Sequence, residues 1–193
     1  MENLIDKAIC FAVKAHSGMK RKGTDIPYIT HPLEALSIAA SITNDDKVLA
    51  AAALHDVVED TEYTLGDIES EFGEEVAALV ASDSENKREN LPAEQTWEIR
   101  KKETLEALKK STREEQIIAI SDKLSNIRAI YRDCFTIGDG LWQRFNQKDK
   151  NKQRWYYEGI AESLNLLRDT FAYREYVFLL NKIFGDKTNE NDA

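Results

Sequence analysis

The 193-residue chain contains little glycine, proline or cysteine: eight, three and two residues. Its two cysteines, Cys10 and Cys134, are far apart and not in a metal-binding spacing. We therefore expect buried free thiols, no disulfide framework and a reducing, cytoplasmic location. No apolar run approaches the roughly 18 residues of a membrane span, and the N-terminus carries charges throughout, unlike a signal peptide.

Basic residues are also outnumbered by acidic ones, which gives the chain a formal net charge of −9. A general nucleic-acid binder needs a basic face, so we expect no nucleic-acid partner. A local basic pocket for an anionic substrate is still compatible with this composition. The oligomeric state is not determined by these observations.

Helical periodicity is frequent, whereas strand-like alternation is nearly absent. One apolar stripe at spacings of three and four consists of Leu4, Ile5, Ala8, Phe11, Ala12 and Ala15. The pattern predicts an all-α, single compact domain over residues 1–185, with residues 186–193 as a flexible tail. Further predicted helices run from His31 to about Ile42, from Asp45 to Val58, from Glu94 to Lys110 and onward from Arg113, and "TIGDG" is predicted as a turn.

Four residues have the chemistry of a metal site. His31 opens one predicted helix, His55 and Asp56 lie near the end of another, and Asp122 lies inside the apolar run "IIAISDKLSNI". Imidazole and carboxylate together suit Mn, Fe or Zn better than Mg or Ca. A lone His-Asp pair is more simply a core histidine beside its carboxylate. The ordered set favours a metal, since an unpaired acid inside an apolar helix is costly.

Two acidic residues follow at helical spacing. Glu59 lies four residues after His55, and Asp60 lies four residues after Asp56. If the helix continues, each pair shares a face, and the two carboxylates are placed to hold or deprotonate a water at the metal. Asn126 stands in the same relation to Asp122.

Cationic islands occur at Lys20–Lys22, at Lys87 and Arg88, at Arg100–Lys102, and in "KDKNKQRWYY". Beside a metal they would suit a polyphosphorylated ligand, and the aromatic residues among them could stack a base. The alternative is solvated helix faces over core aromatics, and we prefer a core position for Trp97, Trp142 and Trp155. The sequence contains no nucleophilic Ser or Cys motif and no glycine-rich phosphate loop. The pattern therefore favours phosphoester or pyrophosphate hydrolysis over kinase activity.

These segments resemble a known family. "KAHSGMKRKGTDIPYITHP", "AAALHDVVEDT", "EFGEEVAALV" and "ISDKLSNIRAI" are similar, in order, to motifs of the HD-domain phosphohydrolases, and among them to alarmone hydrolases of the RelA/SpoT type. The likeness covers about Ile5 to Tyr131, and "SENK", "TWEIRK", "LWQRFN" and "WYYEGI" extend it to about Leu164. The resemblance implies an all-α Mn²⁺-dependent hydrolase, with other divalent transition metals possible. Its substrate would be a phosphorylated purine nucleotide, (p)ppGpp or (p)ppApp, from which it removes the 3′-pyrophosphate.

The resemblance also implies roles for individual residues. By motif position, the metal ligands are His31, His55, Asp56 and Asp122. The water-activating pair is Glu59 and Asp60. Substrate contacts are implied for Arg21, Lys22, Lys87, Asn126, Lys152 and Tyr156.

Departures from the family pattern leave substrate choice open. The loop between Arg21-Lys22 and His31 is one residue longer than in the long bifunctional enzymes, and "SDSENKRENLPAEQTWEIRK" replaces their "VTKL"-like run. Alternatives are an HD phosphohydrolase acting on another nucleotide such as NADPH, or a nucleotide-binding module without turnover. Guanine is not distinguished from adenine. His16 fits a packed or supporting histidine better than a ligand.

Overall fold

The computed structural model describes residues 3–85, 88 and 90–185, and these ranges contain α-helices, one 3-10 helix and no strand. The α-helices are α1 Leu4–Ala15, α2 Thr30–Ala40, α3 Asp46–Leu54, α4 Val57–Asp60, α5 Leu65–Phe72, α6 Glu74–Asp83, α7 Ala93–Leu108, α8 Arg113–Ile137, α9 Lys150–Ser163 and α10 Phe171–Phe184, and the 3-10 helix is Gly138–Arg144. The all-α prediction is confirmed. The predicted tail, residues 186–193, lies outside the described residues, and the division into one domain stays a prediction.

Helix α3 lies at the centre of the fold. Its four alanines, Ala50 to Ala53, are completely buried, and the helix packs against α1, α2, α6 and α8. A helix that is apolar on all sides is stable only when neighbours surround it. Because alanine is small, those neighbours approach closely, so whatever follows α3 emerges inside the protein.

The predicted helix from Asp45 to Val58 is wrong at its C-terminal end. Helix α3 ends at Leu54, and the single turn α4 begins at Val57. The ring of His55 supplies a reason, because its Nδ1 bonds the carbonyl of Ala52 at 2.9 Å. A continuing helix would give that carbonyl to the backbone N–H of Asp56. The chain therefore turns at His55 and Asp56.

Helix α8 is longer than predicted at its C-terminal end. It begins with a capping box between Thr112 and Glu115 and packs against α2, α3, α6 and α10. The predicted turn at "TIGDG" is wrong, because α8 continues to Ile137 and the 3-10 helix follows directly. Gly138 makes the change of direction at a φ of +55°, a region that favours glycine.

The loop between α1 and α2 is a small hairpin closed by backbone hydrogen bonds. The N–H of Tyr28 donates to the carbonyl of Met19, and the N–H of Arg21 donates to that of Ile26, both at 2.9 Å. At the tip, Gly23 has a φ of +71°, and a Cβ there would lie 2.8 Å from Cδ of Arg144. The absence of a side chain at Gly23 thus lets Arg144 cross the loop.

Several expectations about exposure need correction. The cysteines are free, but Cys10 is exposed and Cys134 is half-buried. Trp97 and Trp142 belong to the core as predicted, whereas Trp155 is 38% exposed. In the ranges that the structure describes, no helix is long and apolar enough to cross a membrane.

Replacing Thr112 with alanine tests the N-terminal cap of α8. The hydroxyl oxygen accepts from the N–H of Glu115 at 3.3 Å, so its loss should reduce the free energy of unfolding by about 1 kcal/mol in urea. The control is Thr136→Ala near the other end of the helix, where the hydroxyl donates to the carbonyl of Asp133. Equal effects of the two changes would contradict the capping role.

Candidate metal centre and adjoining cavity

Three separate helical elements bring the four predicted metal ligands together. Nε2 of His31 lies 3.3 Å from Oδ2 of Asp56 and 3.2 Å from Oδ1 of Asp122. Nε2 of His55 lies 3.2 Å and 3.8 Å from the same two oxygens. The two Nε2 atoms are themselves 3.2 Å apart. The ligand atoms of His31, His55 and Asp122 therefore form one group between α2, α8 and the end of α3, and Asp56 lies beside both rings.

Hydrogen bonds at the far side of each ring orient both imidazoles. Nδ1 of His55 bonds the carbonyl of Ala52, which can only accept. Nδ1 of His31 lies 2.8 Å from the hydroxyl of Ser125, and that hydroxyl donates to Glu34 at 2.7 Å. Ser125 therefore accepts from His31. Both Nδ1 atoms carry a proton, so both Nε2 atoms face the shared point, where each could bind a metal once it is deprotonated, as in metal-binding histidines.

The electrostatics of this cluster favour a positive charge. Burial lowers the pKa of His55, but the charge and hydrogen bond of Asp56, together with the charges of Asp122 and Asp83, outweigh burial and raise the pKa to about 10. Burial raises the pKa of Asp56, but the rings of His55 and His31 hold it well below its ordinary value. The balance is the same for Asp122, where burial raises the pKa and Lys123 is the largest influence lowering it. The two carboxylates therefore stabilise a positive charge between the rings, which can be a proton on an imidazole or a bound cation.

The residues fit a divalent metal ion. Among the described residues, His31, His55 and Asp122 form a group whose ligand atoms lie within 4.8 Å of one another. Asp56 adds a carboxylate oxygen within 3.3 Å of both rings. Two imidazole nitrogens and two carboxylates are the donors that transition metals of the Mn, Fe and Zn type bind. The cluster is therefore a candidate divalent-metal centre.

Two polar side chains fix the carboxylate of Asp122. The ammonium of Lys123 pairs with its Oδ2 and lies 3.9 Å from Asp83. The amide nitrogen of Asn126 donates to its Oδ1, and the amide oxygen of Asn126 accepts from the guanidinium of Arg21. Asn126 therefore connects the metal centre to Arg21.

The structure separates the two acidic residues that the sequence paired. Oε1 of Glu59 accepts a hydrogen bond from the backbone N–H of Glu85 at 2.5 Å. Oδ2 of Asp60 lies 2.6 Å from the hydroxyl of Tyr28, and Asp60 lines the large cavity beside the metal centre. Asp60 thus has access to a ligand in the cavity, while Glu59 holds the segment that follows α6.

The cavity has a volume of about 770 Å³, and basic residues outnumber the acidic residues Glu34, Asp60 and Asp133 in its lining. Its basic lining residues are Lys20, Arg21, Lys22, Arg100, Lys101, Lys123, Arg132 and Arg144. Its aromatic lining residues are Tyr28, Trp97, Phe145, Tyr156 and Tyr157. His31 and Asp60 also line the cavity. An acidic protein therefore presents a basic, aromatic pocket beside its candidate metal centre, which suits a phosphorylated ligand with an aromatic base.

Not every predicted substrate contact reaches this cavity. Arg21, Lys22, Asn126 and Tyr156 line it. Lys152 is exposed, and its ammonium lies 3.5 Å from Glu98. Lys87 lies outside the described residues.

Sequence reasoning missed three supporting residues, Tyr28, Lys123 and Ser125, and noted Lys101 without giving it an individual role. Lys101 belongs to a basic island already noted, and its ammonium lies 4.7 Å from the ring centre of Tyr156. Tyr28 stands three residues before His31 in "PYITH", and Lys123 follows Asp122 directly. Position next to a ligand was the available signal, but it does not show in which direction a side chain points.

Comparison with known proteins places these residues in a family context. Residues 8–135 match the HD domain family. A GTP pyrophosphokinase of Streptomyces coelicolor is 40% identical over 129 residues, which are 65% of this chain and 14% of that protein. A probable guanosine-3′,5′-bis(diphosphate) 3′-pyrophosphohydrolase of Synechocystis is 44% identical over 77 residues, 40% of this chain and 10% of that protein. The chain thus spans a small part of these longer relatives.

Two solved structures have the same fold. The Listeria monocytogenes protein lmo0812 has a TM-score of 0.71 and 35% identity, covering 81% of this chain and 99% of that one. A metazoan ortholog of SpoT that hydrolyses ppGpp has a TM-score of 0.71 and covers 95% of each chain. Its identity is 24%, so this second likeness concerns the fold alone.

Replacing Ser125 with alanine tests the orientation of His31. Without the hydroxyl, Nδ1–H loses its acceptor and the ring is free to take the wrong tautomer, so affinity for Mn²⁺ or Zn²⁺ should fall about 10- to 100-fold in calorimetric titration. The control is Ser121→Ala, one turn earlier on α8, where the hydroxyl bonds the carbonyl of Ile117. Equal affinities of the two variants would contradict the role of Ser125.

The pH dependence of stability should reveal competition between a proton and a metal. In metal-free protein the pKa of His55 is about 10, above its ordinary value of 6.5. The stabilisation from its proton is complete below pH 6.5 and is lost as the pH rises towards 10. The free energy of unfolding of EDTA-treated protein should therefore fall between pH 6.5 and 9 in urea titrations.

The metal-loaded protein should not show this decrease, because a bound cation replaces the proton. Metal-free His55→Gln should lack the decrease for a different reason, since the titrating ring is gone. The assignment is overturned if the slope persists in that variant.

Proposed function

Because the chain belongs to the HD domain family, we propose that it is a divalent-metal-dependent hydrolase that removes the 3′-pyrophosphate of alarmone nucleotides, (p)ppGpp or (p)ppApp. The products would be the nucleoside diphosphate or triphosphate and pyrophosphate. One observation carries the proposal: a two-histidine, two-aspartate cluster borders a cationic, aromatic cavity of about 770 Å³. The Synechocystis relative, named as a 3′-pyrophosphohydrolase, supports the substrate class.

We propose Mn²⁺ as the ion held by His31, His55, Asp56 and Asp122. Two neutral imidazoles and two carboxylates form a borderline donor set that suits Mn²⁺ and does not exclude Zn²⁺ or Fe²⁺. When bound, such an ion polarises a phosphoryl oxygen and lowers the pKa of a water molecule.

Asp60 is the proposed general base. It borders the cavity and lies one helical turn after Asp56, so a water between the metal centre and the substrate is within reach of its carboxylate. Glu59 is occupied by the backbone N–H of Glu85. We therefore assign Glu59 to holding that segment beside the site and Asp60 to accepting the proton from the water.

Two groups of cations would bind the substrate. In the first group, Arg21 and Lys22 come from the hairpin, and Lys22 reaches Asn146 at 2.8 Å. The second group is proposed at Lys101, which comes from α7, lies over Tyr156 and pairs with Glu85, in place of the exposed Lys152. A nucleotide with phosphates at both its 3′ and 5′ positions needs cations at two places. Positive charge in both groups would also stabilise the pyrophosphate as it leaves.

The decisive assay is incubation of the purified protein with Mn²⁺ and, separately, ppGpp, ppApp and NADPH, with the products resolved by ion exchange. We expect pyrophosphate from ppGpp or ppApp, and the ratio of the two rates gives the base preference. Phosphate from NADPH alone would indicate a different phosphohydrolase. The absence of product with metal bound would indicate a binding module.

Replacing Asp60 with asparagine should lower kcat about 10²- to 10⁴-fold, because the amide cannot accept the proton. Metal content, measured by atomic absorption, should be unchanged because Asp60 is not a ligand. Glu62→Gln is the matched control, an exposed carboxylate two residues away, and should retain wild-type kcat. Retained activity in Asp60→Asn would remove Asp60 from the mechanism.

A further inference from the structure

The hydroxyl of Tyr28 joins two acidic residues that have different proposed roles. It lies 2.7 Å from Oδ2 of Asp56 and 2.6 Å from Oδ2 of Asp60. The first oxygen is the same atom that faces both imidazole rings. A single hydroxyl therefore connects a metal ligand to the proposed base.

The environment keeps this phenol protonated. Burial, followed by the charges of Asp56 and Asp60, raises the pKa of Tyr28 well above its ordinary value. A protonated phenol is a neutral group with a single O–H, so it donates to one of these two carboxylates at a time while its oxygen stays in contact with the other. The group is thus suited to holding carboxylates in place.

Packing confines the ring of Tyr28. The ring of His16 stacks on it with centroids 4.9 Å apart and planes at 28°. The guanidinium carbon of Arg21 lies 5.4 Å from its centre, and the ring of His31 meets it edge-on at 6.1 Å. The hairpin fixes its backbone through the bond from Tyr28 N–H to Met19. The hydroxyl is therefore delivered to a defined point.

His16 packs without using its polarity. It is 2% exposed, and neither ring nitrogen has a hydrogen-bond partner among the described residues. Burial lowers its pKa, which keeps the ring neutral. An unpaired buried imidazole is costly, and its visible contribution is the flat surface against Tyr28. Its function in the fold is therefore that of a stacking partner.

We propose that Tyr28 is a positioning residue: its hydroxyl holds the carboxylate of Asp60 at a set distance from the metal ligand Asp56, and His16 supports the ring from behind. The proposal rests on the proposed function, because it assumes that Asp60 acts as the base. Asp60 is solvent-exposed, and a carboxylate in water samples several rotamers. The hydrogen bond to Tyr28 would select the rotamer in which the carboxylate of Asp60 can accept a proton from a water in the cavity.

Replacing Tyr28 with phenylalanine removes the hydroxyl and keeps the ring. The proposal expects kcat to fall at least about tenfold, with KM changed by less than about threefold. Tyr173→Phe is the matched control, because it removes a tyrosine hydroxyl that bonds the carbonyl of Ala161 at 3.2 Å on α10, and it should keep wild-type kinetics. Wild-type kcat in Tyr28→Phe would overturn the proposal.

A double-variant cycle separates action through Asp60 from an independent effect. If Tyr28 acts by holding Asp60, its hydroxyl no longer positions a base once residue 60 is asparagine, whose amide cannot take a proton from water. Tyr28→Phe should then slow Asp60→Asn by less than about twofold. Multiplicative losses would overturn the proposal.

Affinity for Mn²⁺, measured by calorimetry, distinguishes an effect on Asp60 from one on the ligand Asp56. We expect Tyr28→Phe to bind the ion within about threefold of the wild type. A tenfold weaker affinity, with kcat restored at saturating Mn²⁺, would show that Tyr28 acts through Asp56, which overturns the positioning of Asp60.

A cycle of Tyr28→Phe with Asp60→Ala in free energies of unfolding does not depend on catalysis, and alanine, unlike asparagine, has no oxygen that could accept from the hydroxyl. Coupling between the two substitutions is expected if the hydroxyl bonds Asp60, and additivity would overturn that contact. If the wild type hydrolyses none of the nucleotides, the proposed function fails, whereas the unfolding cycle still decides whether Tyr28 holds Asp60.

The supporting role of His16 has its own pair of variants. His16→Phe keeps a flat ring without nitrogens, and kcat should remain within about threefold of the wild type. His16→Ala removes the surface and should lower kcat as Tyr28→Phe does. If the larger phenylalanine does not fold, as judged by circular dichroism, His16→Leu replaces it. A folded apolar variant that is as slow as His16→Ala would show that the nitrogens are needed and overturn the stacking role.

Discussion

Two imidazole nitrogens and two carboxylates face one another across about 3 Å in a nearly dry space, and such a cluster is stable only around a cation. Without metal, a proton serves this purpose, which is why the pKa of His55 rises despite burial. With metal, the same lone pairs and charges become ligands. Compensation of charge at this point therefore links the stability of the fold to the chemistry of the site.

The rest of the structure keeps these four groups in place. Helix α3 delivers His55 and Asp56 to the interior because its alanines permit packing on every side. Ser125 fixes the tautomer of His31, and Lys123 holds Asp122. These supports come from elements far apart in the chain, so the site is a product of helix packing. Its rigidity allows a few hydrogen bonds to determine where each polar atom points.

Beyond the metal centre, polar contacts extend to the pocket in two directions. Asn126 links Asp122 to Arg21, so the cation beside the proposed nucleotide site touches a metal ligand through one amide. Tyr28 links Asp56 to Asp60 in a similar way. The groups proposed for substrate binding, metal binding and proton transfer would thus be linked by single hydrogen-bonding side chains, Asn126 and Tyr28. A substitution of Arg21 is therefore expected to alter metal binding through Asn126 and Asp122, although Arg21 does not contact the metal centre directly.

The helical class was predictable from the amino-acid pattern, because spacings of three and four between apolar residues depend only on local geometry. Residue types and their order also predict the donors His31, His55, Asp56 and Asp122, and the structure places these side chains together. Only the tertiary structure decided where α3 ends, because a ring nitrogen takes a backbone carbonyl there. Tertiary packing also distinguished Asp60 from Glu59 and brought Tyr28 and Lys101 to the cavity. The direction of a side chain depends on neighbours distant in sequence, and spacing carries no information about them.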